Sequence, residues 1–462
     1  MSDLNKSPLS CFKAYDIRGK LGSELNEEIA YRIGRATAQH FKSKDIVIGF
    51  DARATSKSLA DACARGCNDG GAQVLNIGLC GTEEVYWAVN SLNATAGIEV
   101  TASHNPIEYN GMKIVREGSR PLGDEADFQV IKRIASEADF APEIFGTASF
   151  DRADAARAAY VEKLISFIDP SVLKPLKIAV NSGNGAAGPT FDALETGLRN
   201  VGVEAEFVRV HHAPDPTFPN GIPNPLLEQN HSATADVVIA EGADFGVAFD
   251  GDFDRCFLFD ETGAFVPGEY IIALLAEVFL NKEAGAKIVH DPRVIWNTQE
   301  TVARLGGEAV VSKTGHAFIK QTMREADAIY GGEMSAHHYF RDFAFCDSGM
   351  IPWLVIWELV SKSGKTLGEL LQECRAAFPS SGERNFTVSD AGACLDAIKA
   401  KFANEARTID ELDGVSLAFE NWRLNLRKSN TEPLVRLNVE TRGDEDLLAQ
   451  KTSEIIGLIN AL

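Results

Sequence analysis

Two stretches of this chain combine residue types that do chemistry with positions where an α/β protein exposes them. Thr101-Ala-Ser103-His104-Asn-Pro follows the apolar text Gly97-Ile-Glu-Val, and Asp250-Gly-Asp252-Phe-Asp254-Arg255 follows Gly246-Val-Ala-Phe. The end of a βα strand is where open α/β sheets place their ligands. Alternate residues of an extended chain share one face, so the three aspartates are expected to converge. Carboxylates ~4 Å apart repel by about 4 kcal/mol per pair at an effective dielectric of 20. A hard dication with oxygen ligands relieves this most simply, and Mg²⁺ suits it. An EF-hand is the rival, with Glu261 at the last loop position. It fails because Arg255 stands where the loop needs glycine and Leu258 offers no side-chain oxygen at a ligand position. A Ser-His-Asp hydrolase is a second rival for Ser103. Adjacent side chains in an extended segment point to opposite faces, however, and no GxSxG elbow occurs.

Three further stretches are candidates for binding. Gly332-Glu333-Met-Ser335-Ala-His337-His338-Tyr339 offers a carboxylate and a hydroxyl, the groups that read sugar hydroxyls. Arg427-Lys-Ser429-Asn430-Thr431 sets a guanidinium beside hydroxyls and an amide, which suits a phosphate. Gly183-Asn-Gly185-Ala-Ala-Gly188 matches GxGxxG after a strand, with Glu204 and Glu206 near the distance of a ribose-binding acid. That pattern makes a nicotinamide-dependent oxidoreductase a rival reading, and a tight βα turn the plain one. No Walker A sequence occurs.

The elements that must position these residues repeat. Strand text at 45–50, helical text at 58–66 and strand text at 73–78 form one βαβ unit. The runs 176–181, 189–198 and 204–210 form a second, and 287–291, 298–305 and 308–312 a third. The last block differs. Two alternating strands at 420–427 and 433–440 are joined by a polar loop and flanked by helical text at 391–405 and 445–462. The expected fold is α/β, with three topologically similar βαβ domains with mixed sheets and a smaller α+β C-terminal domain. The expected divisions are 1–150, 151–256, 257–372 and 373–462.

Composition narrows the partners. The chain has 462 residues, of which 45 % are hydrophobic and 24 % charged, the balance of a globular protein. Its net charge of −21 repels phosphate backbones, so nucleic acid is not an expected partner, and an anionic substrate needs a local cationic pocket. The eight cysteines form no CxxC pair and stand beside no histidine cluster, which argues against zinc and for a reducing compartment. The first residues lack the apolar core of a signal peptide, and the apolar run at 271–280 is too short to span a bilayer. A cytoplasmic protein without membrane contact is the expectation.

Taken together, Cys11-Phe-Lys-Ala-Tyr15-Asp-Ile-Arg18-Gly, Thr-Ala-Ser-His-Asn-Pro, Asp-Gly-Asp-Phe-Asp-Arg, Gly-Glu-Met-Ser-Ala-His and Arg-Lys-Ser-Asn-Thr, in this order, resemble the α-D-phosphohexomutase family, and within it the bacterial phosphomannomutase and phosphomannomutase/phosphoglucomutase type. The resemblance implies three α/β domains and a smaller fourth around a central active-site cleft. It implies that Ser103 carries the transferred phosphate and that Asp250, Asp252 and Asp254, with the serine phosphate, hold Mg²⁺. It implies that Glu333 and Ser335 bind sugar hydroxyls and that Arg427, Ser429, Asn430 and Thr431 bind the phosphate that is not reacting. Tyr15, Arg18, Lys113, His316 and His337 match family active-site positions, and His104 and Arg255 flank the reacting residues.

The implied activity interconverts mannose 6-phosphate and mannose 1-phosphate and feeds GDP-mannose and polysaccharide synthesis. Glucose 1,6-bisphosphate or mannose 1,6-bisphosphate is the implied activator, and a monomer the implied form. Arg18 is too basic to act as a base, so Lys113 or His337 is the expected proton acceptor. Glucose phosphates are the alternative substrates, alone or alongside mannose, because Glu333 and Ser335 have little means of sensing C2. Arg293, in His290-Asp-Pro-Arg293, is a candidate for shifting that preference. A catalytically dead sugar-phosphate binder is the non-enzymatic alternative.

Overall fold

The computed structural model describes residues 9–13, 16–137, 140, 149–428 and 434–461. The chain divides into two compact units, 1–265 with 342–363, and 266–341 with 364–462.

The first unit carries two sheets. In one, the strands lie in the order Ile17–Lys20, Tyr109–Arg116, Ala96–Val100, Asp45–Phe50, Gln73–Leu79, Ser149–Asp151. The last four run parallel, and Tyr109–Arg116 is antiparallel to both its neighbours. Near-continuous apolar strands such as Asp45-Ile-Val-Ile-Gly-Phe suit a parallel sheet covered on both faces. Helices Glu27–Phe41 and Ser56–Asp69 bury Ile29, Ile33, Leu59 and Cys63 in this core.

In the second sheet the order is Cys256–Phe259, Phe245–Phe249, Lys177–Asn181, Glu206–Val210. The middle strand pairs parallel with both Phe245–Phe249 and Glu206–Val210, while Cys256–Phe259 returns antiparallel. The expected division at 256 therefore cuts through this sheet. The helix Met350–Ser363 also packs in this unit, where Trp353 and Trp357 meet Phe207, and Trp353 also meets Phe191. It is apolar nearly all round, as a wholly buried helix must be.

The second unit holds the strands Glu308–Val311, Lys287–His290, Tyr330–Gly332 and His338–Phe340 in that order. The first three are parallel, and the last returns antiparallel across the Glu333–His337 turn. It also holds an antiparallel sheet in the order Arg384–Thr387, Leu434–Thr441, Trp422–Lys428, Val415–Ala418, Thr408–Asp410. Helices Ala391–Phe402 and Glu445–Asn460 pack on it through Leu395, Ile398, Phe402, Ile455 and Ile459. Three βαβ sheets and one α+β sheet are the arrangement expected from the text. Among the described residues, no helix is long and apolar enough to cross a membrane.

Candidate active site

The Ser103 loop is built by a short polar chain behind it. Strand Asp45–Phe50 ends at Asp51, whose buried carboxylate accepts from the Thr101 hydroxyl at 2.7 Å and the Ser56 hydroxyl at 2.5 Å. The Thr101 Oγ1 in turn accepts the Ser103 backbone N–H at 2.8 Å. Arg53 closes the other side. Its guanidinium donates to the carbonyls of Ser103 at 2.8 Å, Asn105 at 2.5 Å, Pro106 at 3.0 Å and Tyr109 at 3.2 Å. Between these fastenings Ser103 adopts φ +47°, in the left-handed region that costs an L-residue about 1–2 kcal/mol.

That conformation corrects one sequence expectation. The chain is not extended at Ser103, so Ser103 Oγ and His104 Nδ1 do not point apart but lie 3.0 Å from each other. A hydrolase is still not formed. Arg255 Nη2 donates to the same His104 nitrogen at 2.6 Å, and that guanidinium, together with burial, holds the imidazole pKa well below its ordinary value. A ring kept neutral, with its bare nitrogen already engaged, cannot take the serine proton.

The aspartates converge, but not by sharing a strand face. Residues 250–254 form a tight turn with Phe253 at φ +43°, and one oxygen from each of Asp250, Asp252 and Asp254 lies within 4.8 Å of the others. The turn is braced from two sides. Thr82, at the start of helix Thr82–Ser91, donates its hydroxyl to Asp252 Oδ2 at 2.6 Å and its backbone N–H to the Asp252 carbonyl at 3.2 Å. The Gly183–Gly188 turn supplies the Ala186 N–H to the Gly251 carbonyl at 3.2 Å. The GxGxxG pattern thus props the acidic loop, and Glu206 pairs with Lys177 at 2.9 Å. Gly251 lets the two loops meet: a Cβ there would lie 2.6 Å from the Ser103 carbonyl oxygen. Ser103 Oγ donates to Asp250 Oδ2 at 2.7 Å.

Two cations of the chain also meet this cluster. Lys113 Nζ sits 2.7 Å from Asp252 and 2.5 Å from Asp254, and Arg255 donates to Asp250 at 2.9 and 2.8 Å. Burial pushes the Asp252 carboxyl up, yet the ammonium beside it wins and holds it well below the usual carboxylate range. Burial opposes charge on Lys113 in the same way, but the two carboxylates raise its pKa far above that of a free lysine. Lys113 is therefore a cation paired to two carboxylates of the candidate metal turn. What the two cations leave over is Asp250 Oδ1 and Asp252 Oδ1, both buried and without a hydrogen-bond partner among the described residues. A bare carboxylate oxygen in a closed site costs free energy unless a cation meets it, so the donor set fits a hard metal ion. Arg18 is an anchor here, donating to Asn105 Oδ1 and Asp16 Oδ2, each at 2.7 Å.

The second unit assembles the other candidates. Glu333 heads the turn between strands Tyr330–Gly332 and His338–Phe340. Its carboxylate accepts from the Gly315 N–H at 2.7 Å and the Tyr339 hydroxyl at 2.5 Å, which fixes its orientation. His316 opens helix His316–Ala326 directly after that glycine. Arg293 Nη2 donates to Ser335 Oγ at 3.3 Å and to Asp291 at 2.7 Å, and the Met334 N–H also reaches Asp291, at 2.8 Å. Arg427 is buried at the end of strand Trp422–Lys428 and donates to Glu383 at 3.2 Å. Tyr15, Ser429, Asn430 and Thr431 lie outside the described residues. Sequence reasoning missed Asp51, Arg53, Thr82 and Glu383. An Asp-x-Arg directly after an apolar strand was the one available signal, because a buried charge pair at a strand end needs something to hold.

A strained serine beside an acidic, metal-competent turn, on three α/β sheets followed by an α+β sheet, defines a phosphohexomutase class of enzyme. The chain matches the phosphoglucomutase/phosphomannomutase α/β/α domain I at residues 10–141, domain II at 158–263, domain III at 267–378 and the C-terminal domain at 383–457. It is 56 % identical over 453 residues to a phosphomannomutase of Salmonella montevideo, covering 98 % of this chain and 99 % of that one. It is 55 % identical to a phosphomannomutase of Escherichia coli K12, with 98 % and 99 % covered. A solved phosphoglucomutase/phosphomannomutase family protein of Burkholderia thailandensis superposes with a TM-score of 0.84 at 31 % identity, covering 98 % of this chain and 97 % of that one. The chain belongs to the phosphoglucomutase/phosphomannomutase family and is an isomerase acting on hexose phosphates.

Proposed function

We propose that this enzyme interconverts mannose 6-phosphate and mannose 1-phosphate through a phosphoserine at Ser103 and a hexose 1,6-bisphosphate. The observation that carries the reading is the Ser103 hydroxyl, 2.7 Å from Asp250 at the edge of a carboxylate turn with two unpartnered oxygens. The Ser103 P–O bond breaks as the free hydroxyl of the sugar monophosphate takes the phosphoryl group and gives up its proton. The sugar then turns end for end, and the other phosphate returns to Ser103. The bisphosphate supplied from outside phosphorylates an enzyme that has lost the group.

Asp250, Asp252 and Asp254, with a phosphoserine oxygen, are the residues that hold Mg²⁺. The ion, when bound, supplies charge neutralisation for a group that brings about −1.5 to −2. Arg255 keeps His104 neutral and fixes Asp250, while Lys113 holds positive charge beside the moving group. Glu333 and Ser335 bind sugar hydroxyls, with Arg293 steadying Ser335. Arg427, with Ser429, Asn430 and Thr431, takes the phosphate that is not reacting. Tyr15, Arg18 and His316 complete the binding set, and His337 or Lys113 takes the proton. The enzyme works as a cytoplasmic monomer. All eight cysteines are free thiols, which suits a reducing compartment.

Mannose is the proposed sugar because the full-length relatives at 55–56 % identity carry that name. ³¹P NMR of an equimolar mixture of mannose 1-phosphate and glucose 1-phosphate, with Mg²⁺ and a trace of glucose 1,6-bisphosphate, tests it. Mannose 6-phosphate is expected to lead. Comparable rates establish a dual enzyme, and glucose 6-phosphate in the lead overturns the assignment. Full turnover by Ser103→Ala rules out the phosphoserine.

A further inference from the structure

The second unit contains a cluster of like charges that one carboxylate holds together. Arg427 and Arg436 are directly opposite on the paired strands Trp422–Lys428 and Leu434–Thr441. Like charges facing each other across a ladder destabilise it. Glu383, at the entry to the neighbouring strand Arg384–Thr387, bridges them, taking Arg436 Nη1 on Oε1 at 3.0 Å and Arg427 Nη2 on Oε2 at 3.2 Å. The same Oε2 receives Arg293 Nη1 at 3.4 Å. Three guanidiniums therefore meet one carboxylate, and a second, Asp291, takes Arg293 and the Met334 N–H. Asp413 also acts on Arg427 and Glu333 on Arg293, and the buried Nε donors of Arg293 and Arg427 have no partner among the described residues. Burial pushes the Glu383 carboxyl up, but the three guanidiniums prevail and keep it below its ordinary value, so it is ionised at neutral pH.

We infer that Glu383 is a built-in competitor for the substrate phosphate: it occupies guanidinium donors that a phosphate would take and so keeps phosphate binding weak enough for the bisphosphate to leave and turn. The inference rests on the proposed role of Arg427 as a phosphate ligand. Its logic is specific to this reaction. An enzyme that binds once and releases product gains from a tighter phosphate grip, up to its substrate concentration. A mutase whose intermediate must release its non-reacting phosphate halfway through the cycle does not. A carboxylate sharing the same donors offers the leaving phosphate a replacement, so the guanidiniums never face one another uncompensated.

The test is steady-state kinetics of the full-length enzyme, with inorganic phosphate as a competitive inhibitor reporting on the site. Glu383→Gln keeps the shape and an accepting oxygen but removes the charge. We expect it to tighten phosphate inhibition and lower KM for the sugar phosphate by at least five-fold, and to lower kcat, because the intermediate gives up its non-reacting phosphate more slowly. A merely structural role for Glu383 predicts the reverse: a higher KM, weaker phosphate inhibition and a lower melting temperature. That result, or unchanged phosphate inhibition, overturns the inference. Glu383→Asp, which draws the charge back while keeping it, is expected to tighten inhibition in the same direction by less, and it carries the test if the glutamine variant does not fold. Arg427→Gln separates the two readings. If it leaves phosphate inhibition unchanged, Arg427 is not the phosphate ligand. If it abolishes inhibition while neither Glu383 variant tightens it, only the competitor inference fails.

Discussion

Arg53 should matter more than its distance from any reacting atom suggests, and Arg53→Met tests why. The guanidinium is buried and donates to four carbonyls of the 103–109 loop. Its Nε also lies 3.6 Å from the buried Asp51 carboxylate. Removing one partner of a buried charge pair costs about 3–5 kcal/mol, because the other charge is left behind. The orphaned carbonyls add to that, while the Thr101 and Ser56 hydroxyls still serve Asp51, so the lower half of the range is the better expectation. A second effect is catalytic. Ser103 is held at φ +47°, a conformation that costs about 1–2 kcal/mol. Without Arg53 the loop relaxes toward ordinary backbone angles, and the fraction of enzyme with a seated serine falls about 5- to 30-fold.

Urea unfolding measures the first effect, and initial rates of the mutase reaction at saturating bisphosphate measure the second. The second should appear in kcat with little change in KM. Arg53→Lys should fall between, since an ammonium keeps the charge beside Asp51 but cannot reproduce a planar fork on four carbonyls. A stability loss below ~1 kcal/mol, or kcat within about two-fold of wild type, would show that the loop holds its shape without the clamp and would refute this reasoning.

Chelation with EDTA should remove activity, and Mg²⁺ should restore it. Because Asp250 Oδ1 and Asp252 Oδ1 have no partner among the described residues, added Mg²⁺ should also raise thermal stability, by about 2.7 kcal/mol at a hundred times its Kd. Melting curves that ignore Mg²⁺ would remove the aspartates as ligands. Gly251→Ala places a Cβ 2.6 Å from the Ser103 carbonyl oxygen, so one loop must shift. A displacement of ~1 Å near the chemistry costs on the order of 10²-fold in rate, and wild-type rates in this variant would show the loops to be independent. His338 is buried, with its pKa pushed down to about 3 by burial and by neighbouring His337. The unfolded chain binds that proton near pH ~6.5, so this contribution to stability is complete above ~6.5 and drains as the pH falls, by about 2 kcal/mol at pH 5. In His338→Gln the loss of unfolding free energy between pH 7.5 and 5 should shrink by about that amount, and an unchanged loss would place the acid sensitivity elsewhere.

The candidate site residues were legible in the sequence because they sit at strand ends and in turns, where apolar runs stop and small polar residues begin. Ser103, the aspartates 250, 252 and 254, Glu333 and Arg427 all follow such a boundary, and the periodicity of each run marks the strand behind it. The same local patterns set out the three βαβ blocks and the final hairpin. Partnership could not be read this way, because it joins residues far apart in the chain. That Lys113 would meet Asp252 and Asp254 could not be read from the sequence. His104 looked turned away from Ser103 until tertiary fastenings forced Ser103 into a left-handed conformation, which no local propensity favours. The apolar circumference of helix Met350–Ser363 meets Phe191 and Phe207, partners about 150 residues away that its own sequence cannot name. Local sequence specifies which element a residue occupies and which way it faces. Which charge neutralises which, and hence which groups can move a proton, is decided by burial and by long-range contacts that exist only once the chain has folded.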